Sequence, residues 1–227
     1  MHPSPLLATI TDRDRGNISH FWLGHRPVHI TYRLHGSIPR VELLRIAQHR
    51  TEALLARDKR MEKVSSRYHA EALAQETHRI SSHVELELEA ALHRGSQGPF
   101  HLEQTELRNI VLDSWKFLQK EIEVYAVCVM SNHVHAVVGA PPSSHSIDLG
   151  RLMDRHKSHT ARHCNRILGA TGQPFWATNY FDRTVRDGKF LTVMWYVLNN
   201  PVKSGLVTSW EAWPGTYLNS RYLAHFV

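Results

Sequence analysis

Val124-Tyr125-Ala126-Val127-Cys128-Val129-Met130-Ser131-Asn132-His133-Val134-His135-Ala136-Val137-Val138-Gly139 is the stretch that decides the fold. Two runs rich in β-branched and apolar residues, 124–130 and 133–138, are separated by Ser131-Asn132, so they read as a hairpin at the centre of the domain. Upstream, residues 28–35 (Val-His-Ile-Thr-Tyr-Arg-Leu-His) alternate apolar and polar side chains without a fault, the period of a strand with one buried face. Between these strands lies a long stretch of good helix formers, from Arg40 to about His93. It is expected to break near Ser65-Ser66 and again at Ser81-Ser82, where Ser82 followed by Glu85 has capping-box spacing. Three helical pieces are therefore expected. After a Gly-Ser-Gln-Gly-Pro loop at 95–99, residues 102–120 resume a helix with Leu107, Ile110, Val111, Trp115 and Leu118 on one face.

Downstream of the hairpin, 147–168 reads as a cationic amphipathic helix. A short fourth strand follows at 180–186, then a last helix at 189–199 that Pro201 stops. Residues 208–227, with Trp210, Trp213 and Tyr217, are expected to pack as a cap. The order strand, helices, strand, strand, helix, strand, helix predicts an α+β fold, a split βαβ arrangement with helices on one face of an antiparallel sheet. Residues 1–227 are read as one domain bearing a helical insert at 41–94.

Lys and Arg outnumber Asp and Glu by 27 to 21, a net charge of +6 that favours polyanionic partners. The two cysteines, Cys128 and Cys164, form no metal-type spacing and are read as reduced structural thiols. No run is long enough for a signal peptide or a membrane span, so a soluble cytoplasmic protein is expected.

Residues two apart on a strand share a face about 6.6 Å apart at the backbone, so His133 and His135 can converge on one metal ion. With 18 histidines in the chain, roughly one His-x-His triplet is expected by chance. The competing reading is a pair of imidazoles hydrogen-bonded at a sheet edge. In the last helix Tyr196 and Asn200 are four apart and share a face. The competing reading of Tyr196 is one more core aromatic among Phe190, Leu191, Val193, Met194 and Trp195. A free phenol has a pKa of about 10, so as a nucleophile it needs a base or a polarised target. Two neutral imidazoles and the Asn200 amide oxygen would leave a divalent ion's charge undiminished for a phosphodiester, a donor set that suits Mg²⁺ or Mn²⁺.

The sequence at 130–138 resembles the His-hydrophobe-His strand of the single-tyrosine HUH (IS200-like) transposases. Residues 196–207, Tyr-Val-Leu-Asn-Asn-Pro-Val-Lys-Ser-Gly-Leu-Val, resemble the segment that carries their tyrosine. This second stretch is similar to the REP-associated tyrosine transposases, as are 157–162, Phe175-Trp176 and 180–183. The resemblance covers roughly 28–40 and 104–217, and leaves 41–94 unaccounted for. It implies a ferredoxin-like (RRM-like) core, a divalent metal, and single-stranded or hairpin DNA as partner, acted on as a monomer or homodimer. Position by position, His133 and His135 match the family's metal histidines, Tyr196 its nucleophile and Asn200 its polar metal ligand. Tyr180 stays open as a second candidate nucleophile. The expected activity is a single-strand endonuclease and strand transferase with a 5′-phosphotyrosine intermediate. A catalytically silent hairpin-binding protein and a metal hydrolase using water are the rivals. Arg151, Arg155, Lys157, Arg162, Arg183, Arg186 and Lys203 are the candidates for phosphate contacts.

Overall fold

The computed structural model describes residues 22–24, 26–94, 98–143 and 147–227. The reading of the amino terminus and most of that of the 95–99 loop lie outside them. The chain divides into two compact units, one built on Ile38–Gly98 and the other on Arg15–Ser37 with Pro99–Val227.

The first unit holds two helices, α1 (Arg40–Met61) and α2 (Ser66–Arg94). They form an antiparallel pair, because Arg45 reaches Glu87 (3.2 Å) while Arg60 reaches Glu76 (2.7 Å). Leu43, Ile46 and Ala47 of α1 and Ile80, Val84, Leu88 and Leu92 of α2 are their buried stripes. The expected break at Ser81-Ser82 does not occur. Ser82 Oγ instead donates to the carbonyl of His78 (2.8 Å), a bond made inside a continuous helix, and the apolar stripe runs past it on both sides. Cations and carboxylates nearly balance in this unit, so most of the +6 resides in the other.

The second unit is built on a five-stranded antiparallel sheet. Its strands are β2 (Val28–Arg33), β3 (Glu123–Val129), β4 (His133–Gly139), β6 (Phe181–Thr184) and β7 (Thr216–Leu218), in the order β6-β2-β4-β3-β7. A separate small pair joins β1 (Trp22–Leu23) to β5 (Ile147–Asp148). The expected α+β class and the β3-β4 hairpin are both present. β4 is central and buried along its whole length, His133 and His135 included.

Alternation sorts the side chains into two clusters. Val28, Ile30, Tyr32, Val134, Ala136 and Val138 pack against α3 (Thr105–Leu118) and α4 (Leu149–Ile167) on one face. Asp148 caps α4, its carboxylate accepting from the backbone N–H of Arg151 (3.0 Å). On the opposite face Ala126, Cys128, Met130 and Val137 pack against α5 (Phe190–Leu198) through Met194, Val197 and Leu198. Helices thus lie on both faces rather than one, and α5 shares the histidine face with Trp210 and other residues of the tail. Pro201 does not simply end the helical path. It sits in the first turn of a short new helix, α6 (Asn200–Lys203), where its missing N–H costs nothing.

The tail does more than cap. β7 adds a strand beyond β3, the Val129 N–H bonds the Gly215 carbonyl (2.8 Å), and the Trp213 indole donates to the Val129 carbonyl (2.9 Å). A Cβ on Gly215 would lie 2.3 Å from that same carbonyl oxygen, so only glycine allows the approach. Cys128 and Cys164 are buried free thiols, each pushed up to about 12 by desolvation. No described helix is long and apolar enough to cross a membrane.

Candidate metal and nucleophile site

Pairing of β2 with β4 in the register Thr31↔His135 and Arg33↔His133 places the polar side of β2 directly beside the two histidines. His133 and His135 are each 1% exposed, with ring centroids 4.9 Å apart and planes nearly perpendicular. Nδ1 of each ring is held by a neighbour, and His135 is bonded at Nε2 as well. Nδ1 of His133 lies 2.6 Å from Asn132 Oδ1, an acceptor only, so Nδ1 carries the proton and Nε2 the lone pair. Nδ1 of His135 lies 3.0 Å from Thr31 Oγ1 and 3.2 Å from His29 Nε2, while its Nε2 accepts from the Asn200 amide at 3.1 Å. Both histidines therefore present Nε2 as the basic atom, with Nδ1 fixed by a neighbour, the arrangement that orients metal-bound imidazoles.

Asn200 is fully buried, and its Oδ1 makes no hydrogen bond. An unsatisfied buried amide oxygen is costly unless something else fills its coordination. Among the described residues no three His, Cys, Asp or Glu side chains are grouped to hold an ion, so a neutral oxygen is the donor available to complete the set. Two Nε2 atoms and this amide oxygen suit a divalent cation.

Tyr196 comes from α5, one turn before Asn200. Its ring meets those of His29 and His135 edge-on, at 5.8 Å from each. The Lys203 ammonium sits 4.2 Å from the centre of the Tyr196 ring, on the side facing solvent. Tyr180 packs instead with the cluster on the other face of the sheet. The site is thus assembled within one chain, from β2, β4, α5 and α6.

The seven expected phosphate contacts separate in the same way. Arg183 is opposite His29 on β6, on the histidine face, and Lys203 covers Tyr196. Arg151, Arg155, Lys157 and Arg162 ride on α4, which covers the other face. Arg151 pairs with Asp148 (3.5 Å) and Arg155 with Glu121 (2.6 Å). Lys157 donates to the carbonyls of Ala177 (2.8 Å) and Thr178 (2.7 Å), and its pKa is drawn down to about 8, first by burial. Arg186 is exposed just after β6.

His29, Thr31, Arg33 and Asn132 were not singled out by sequence reasoning. The signal for the first three was the alternation of β2, which puts them together on its polar side. What the alternation lacks is the register that brings that side to His133 and His135. Replacing His29 by alanine is expected to weaken Mn²⁺ binding about tenfold to a hundredfold, by titration calorimetry, because the remaining Thr31 bond holds His135 less firmly.

A His-hydrophobe-His strand faced by a tyrosine one helical turn before a buried amide resembles the arrangement expected of a single-tyrosine HUH site. Residues 103–200, which contain both histidines, Tyr196 and Asn200, match the family model described as "Transposase IS200 like". Over this segment, a little under half of the chain, the protein is similar to the IS200-like transposases, in line with the resemblance in the sequence. In fold it is similar to a REP-associated tyrosine transposase solved bound to a REP hairpin, with a TM-score of 0.50, 13% identity, and coverage of 93% of this chain and 87% of that one. A transposase candidate from Deinococcus radiodurans R1 aligns over 83% of this chain and 97% of its own at 14% identity, with a TM-score of 0.33. No curated protein matches the chain.

Proposed function

We propose that this protein is a metal-dependent single-strand DNA endonuclease and strand transferase that acts beside a DNA hairpin. The observation that carries the reading is the convergence of Tyr196 with His133, His135 and Asn200 on one face of the sheet. The catalytic domain is the second unit, and the helix pair at 41–94 is an elaboration of it.

His133 Nε2, His135 Nε2 and Asn200 Oδ1 would hold Mg²⁺ or Mn²⁺. When bound, the ion supplies Lewis-acid polarisation of a phosphodiester oxygen. Tyr196 Oη forms a bond to phosphorus as the P–O3′ bond breaks, leaving a 5′-phosphotyrosine and a free 3′-hydroxyl. The phenol proton passes to solvent and the departing 3′ oxygen takes one up. The reverse reaction with a different 3′-hydroxyl joins strands with no net hydrolysis. Single-stranded DNA next to a hairpin is the substrate this reading assigns, and the bond energy is kept in the phosphotyrosine until the second strand arrives.

Incubation with a hairpin bearing a single-stranded flank and Mn²⁺ tests the reading. A covalent protein–DNA adduct is expected on a denaturing gel, and Tyr196→Phe is expected to abolish it while Tyr180→Phe keeps it. Tight binding without an adduct would make the protein a silent hairpin binder, and cleavage surviving Tyr196→Phe would make it a water-using hydrolase. Lys203→Ala removes a cation–π contact worth about 0.5–1 kcal/mol at an exposed site, so adduct formation should slow about twofold to fivefold in a single-turnover assay.

A further inference from the structure

Arg33 is a part-buried cation with no anion to answer it. It stands on the polar side of β2 two residues beyond Thr31, directly opposite His133. Its guanidinium makes two marginal contacts, to the Leu34 carbonyl and to Ser37 Oγ, both at 3.4 Å. Among the described residues no carboxylate pairs with it. The charged group whose field it shares is another cation, Lys157, whose pKa its presence helps to lower. Burial draws Arg33 itself down to about 10, so it stays charged at neutral pH while paying a desolvation cost that no partner offsets.

A charge kept in such surroundings is costly to the folded state, because desolvation is recovered only through an opposite charge and good hydrogen bonds. Lys203, by contrast, has the Tyr196 ring beneath it. Arg33 has a planar fork of donors, which matches two oxygens of a phosphate, and it lies beside the histidine that leads the metal strand.

We propose that Arg33 is a substrate-binding residue that grips a phosphodiester of the DNA strand next to His133. The proposal rests on the single-strand DNA reading of the site and adds the residue that receives the backbone there. Arg33 would hold the phosphate by paired N–H···O bonds while Tyr196 approaches from α5. It would also draw the strand into place before any metal is bound.

The test uses the full chain carrying Tyr196→Phe, in EDTA, so that neither metal nor covalent chemistry contributes. The probe is an oligonucleotide hairpin with a single-stranded flank, and Arg33→Gln and Arg33→Lys are compared with the parent. Arg33→Gln is expected to bind about tenfold to a hundredfold more weakly, with Arg33→Lys in between. Its melting temperature should equal or exceed the parent's, because an unanswered charge has been removed. Neutral methylphosphonates are then placed singly along the flank. At one position the parent should lose affinity and the gap between parent and Arg33→Gln should close.

Equal affinity for parent and Arg33→Gln overturns the proposal. So does a lowered melting temperature in Arg33→Gln, which would make Arg33 a structural residue, or a gap that persists at every methylphosphonate position. These readouts are independent of the adduct assay. A chain that forms no adduct yet shows the Arg33 effect loses the enzyme reading and keeps this one, whereas a chain that forms the adduct without the Arg33 effect does the reverse.

Discussion

The double replacement His133→Ala with His135→Ala is expected to remove Mn²⁺ binding from calorimetric detection and to lower adduct formation by at least about a thousandfold. Two imidazole donors leave together, and the amide that remains is a weak ligand for any ion. Both side chains are buried and each Nδ1 is held by a neighbour, so the loss is also structural, and circular dichroism of the variant must show a native fold for the result to count. Asn200 gives the finer measurement. Asn200→Ala removes the orphan oxygen and should weaken Mn²⁺ binding by less than either histidine does. Asn200→Asp puts a full negative charge in its place. It should tighten Mn²⁺ and slow adduct formation, because the ion then has less charge left to lend the phosphate. A faster Asn200→Asp enzyme would contradict the neutral-ligand account of the site.

The residues that this variant set probes were visible in the sequence because they obey short periods. His133 and His135 are two apart on a strand, and Tyr196 and Asn200 are four apart along helical chain. Their meeting was legible through the family resemblance, since nothing in either period says that α5 packs against the strand's polar side. His29, Thr31 and Arg33 depend on register. The alternation of residues 28–35 puts them on one side of β2, but only the pairing Thr31↔His135 and Arg33↔His133 brings that side to the site. The cations of α4 show the same gap from the other direction. Their spacing defines a solvent side of the helix, while the face of the sheet that α4 covers is decided by Leu149, Leu152 and Met153 packing into the larger core. β7 was unreadable because three residues carry no period, and the close approach at Gly215 that seats it is a tertiary fact. Ser82 misled because a serine with a glutamate three residues on has the same spelling at a helix start and inside one.

The face away from the site holds a buried polar network whose disruption should cost stability and leave the chemistry intact. The Trp115 indole donates to Tyr32 Oη (3.0 Å), the Tyr32 hydroxyl donates to His156 Nε2 (2.5 Å), and His156 Nδ1 bonds Ser114 Oγ (2.8 Å). These four side chains tie β2 to α3 and α4. Every polar atom of the His156 ring is used, and burial first, then the nearby His159 and Lys157, pull its pKa down to about 3, so the imidazole is neutral when folded. Tyr32→Phe strips one partner from His156 and one from Trp115. A loss of roughly 2–4 kcal/mol is expected, read as a fall in melting temperature of about 5–12 °C. Adduct formation per folded molecule should be unchanged, because Tyr32 points away from His133 and His135.

The same network sets a pH dependence with a definite sign. In the unfolded chain His156 takes up a proton below about pH 6.5, whereas in the folded protein it resists protonation down to about 3. Its contribution is therefore fully present above pH 6.5 and declines as pH falls, by up to about 1.4 kcal/mol for each unit in that window. His156→Asn cannot titrate there. At pH 7.5 wild type should be the more stable of the two, and the difference should narrow steadily toward pH 5. A difference that stays constant over this range would mean that His156 takes up a proton at the same pH in the fold as in the unfolded chain. Its hydrogen bond to Tyr32 would then have to run in the opposite sense once protonated, with Nε2 donating, while Nδ1 goes on donating to Ser114.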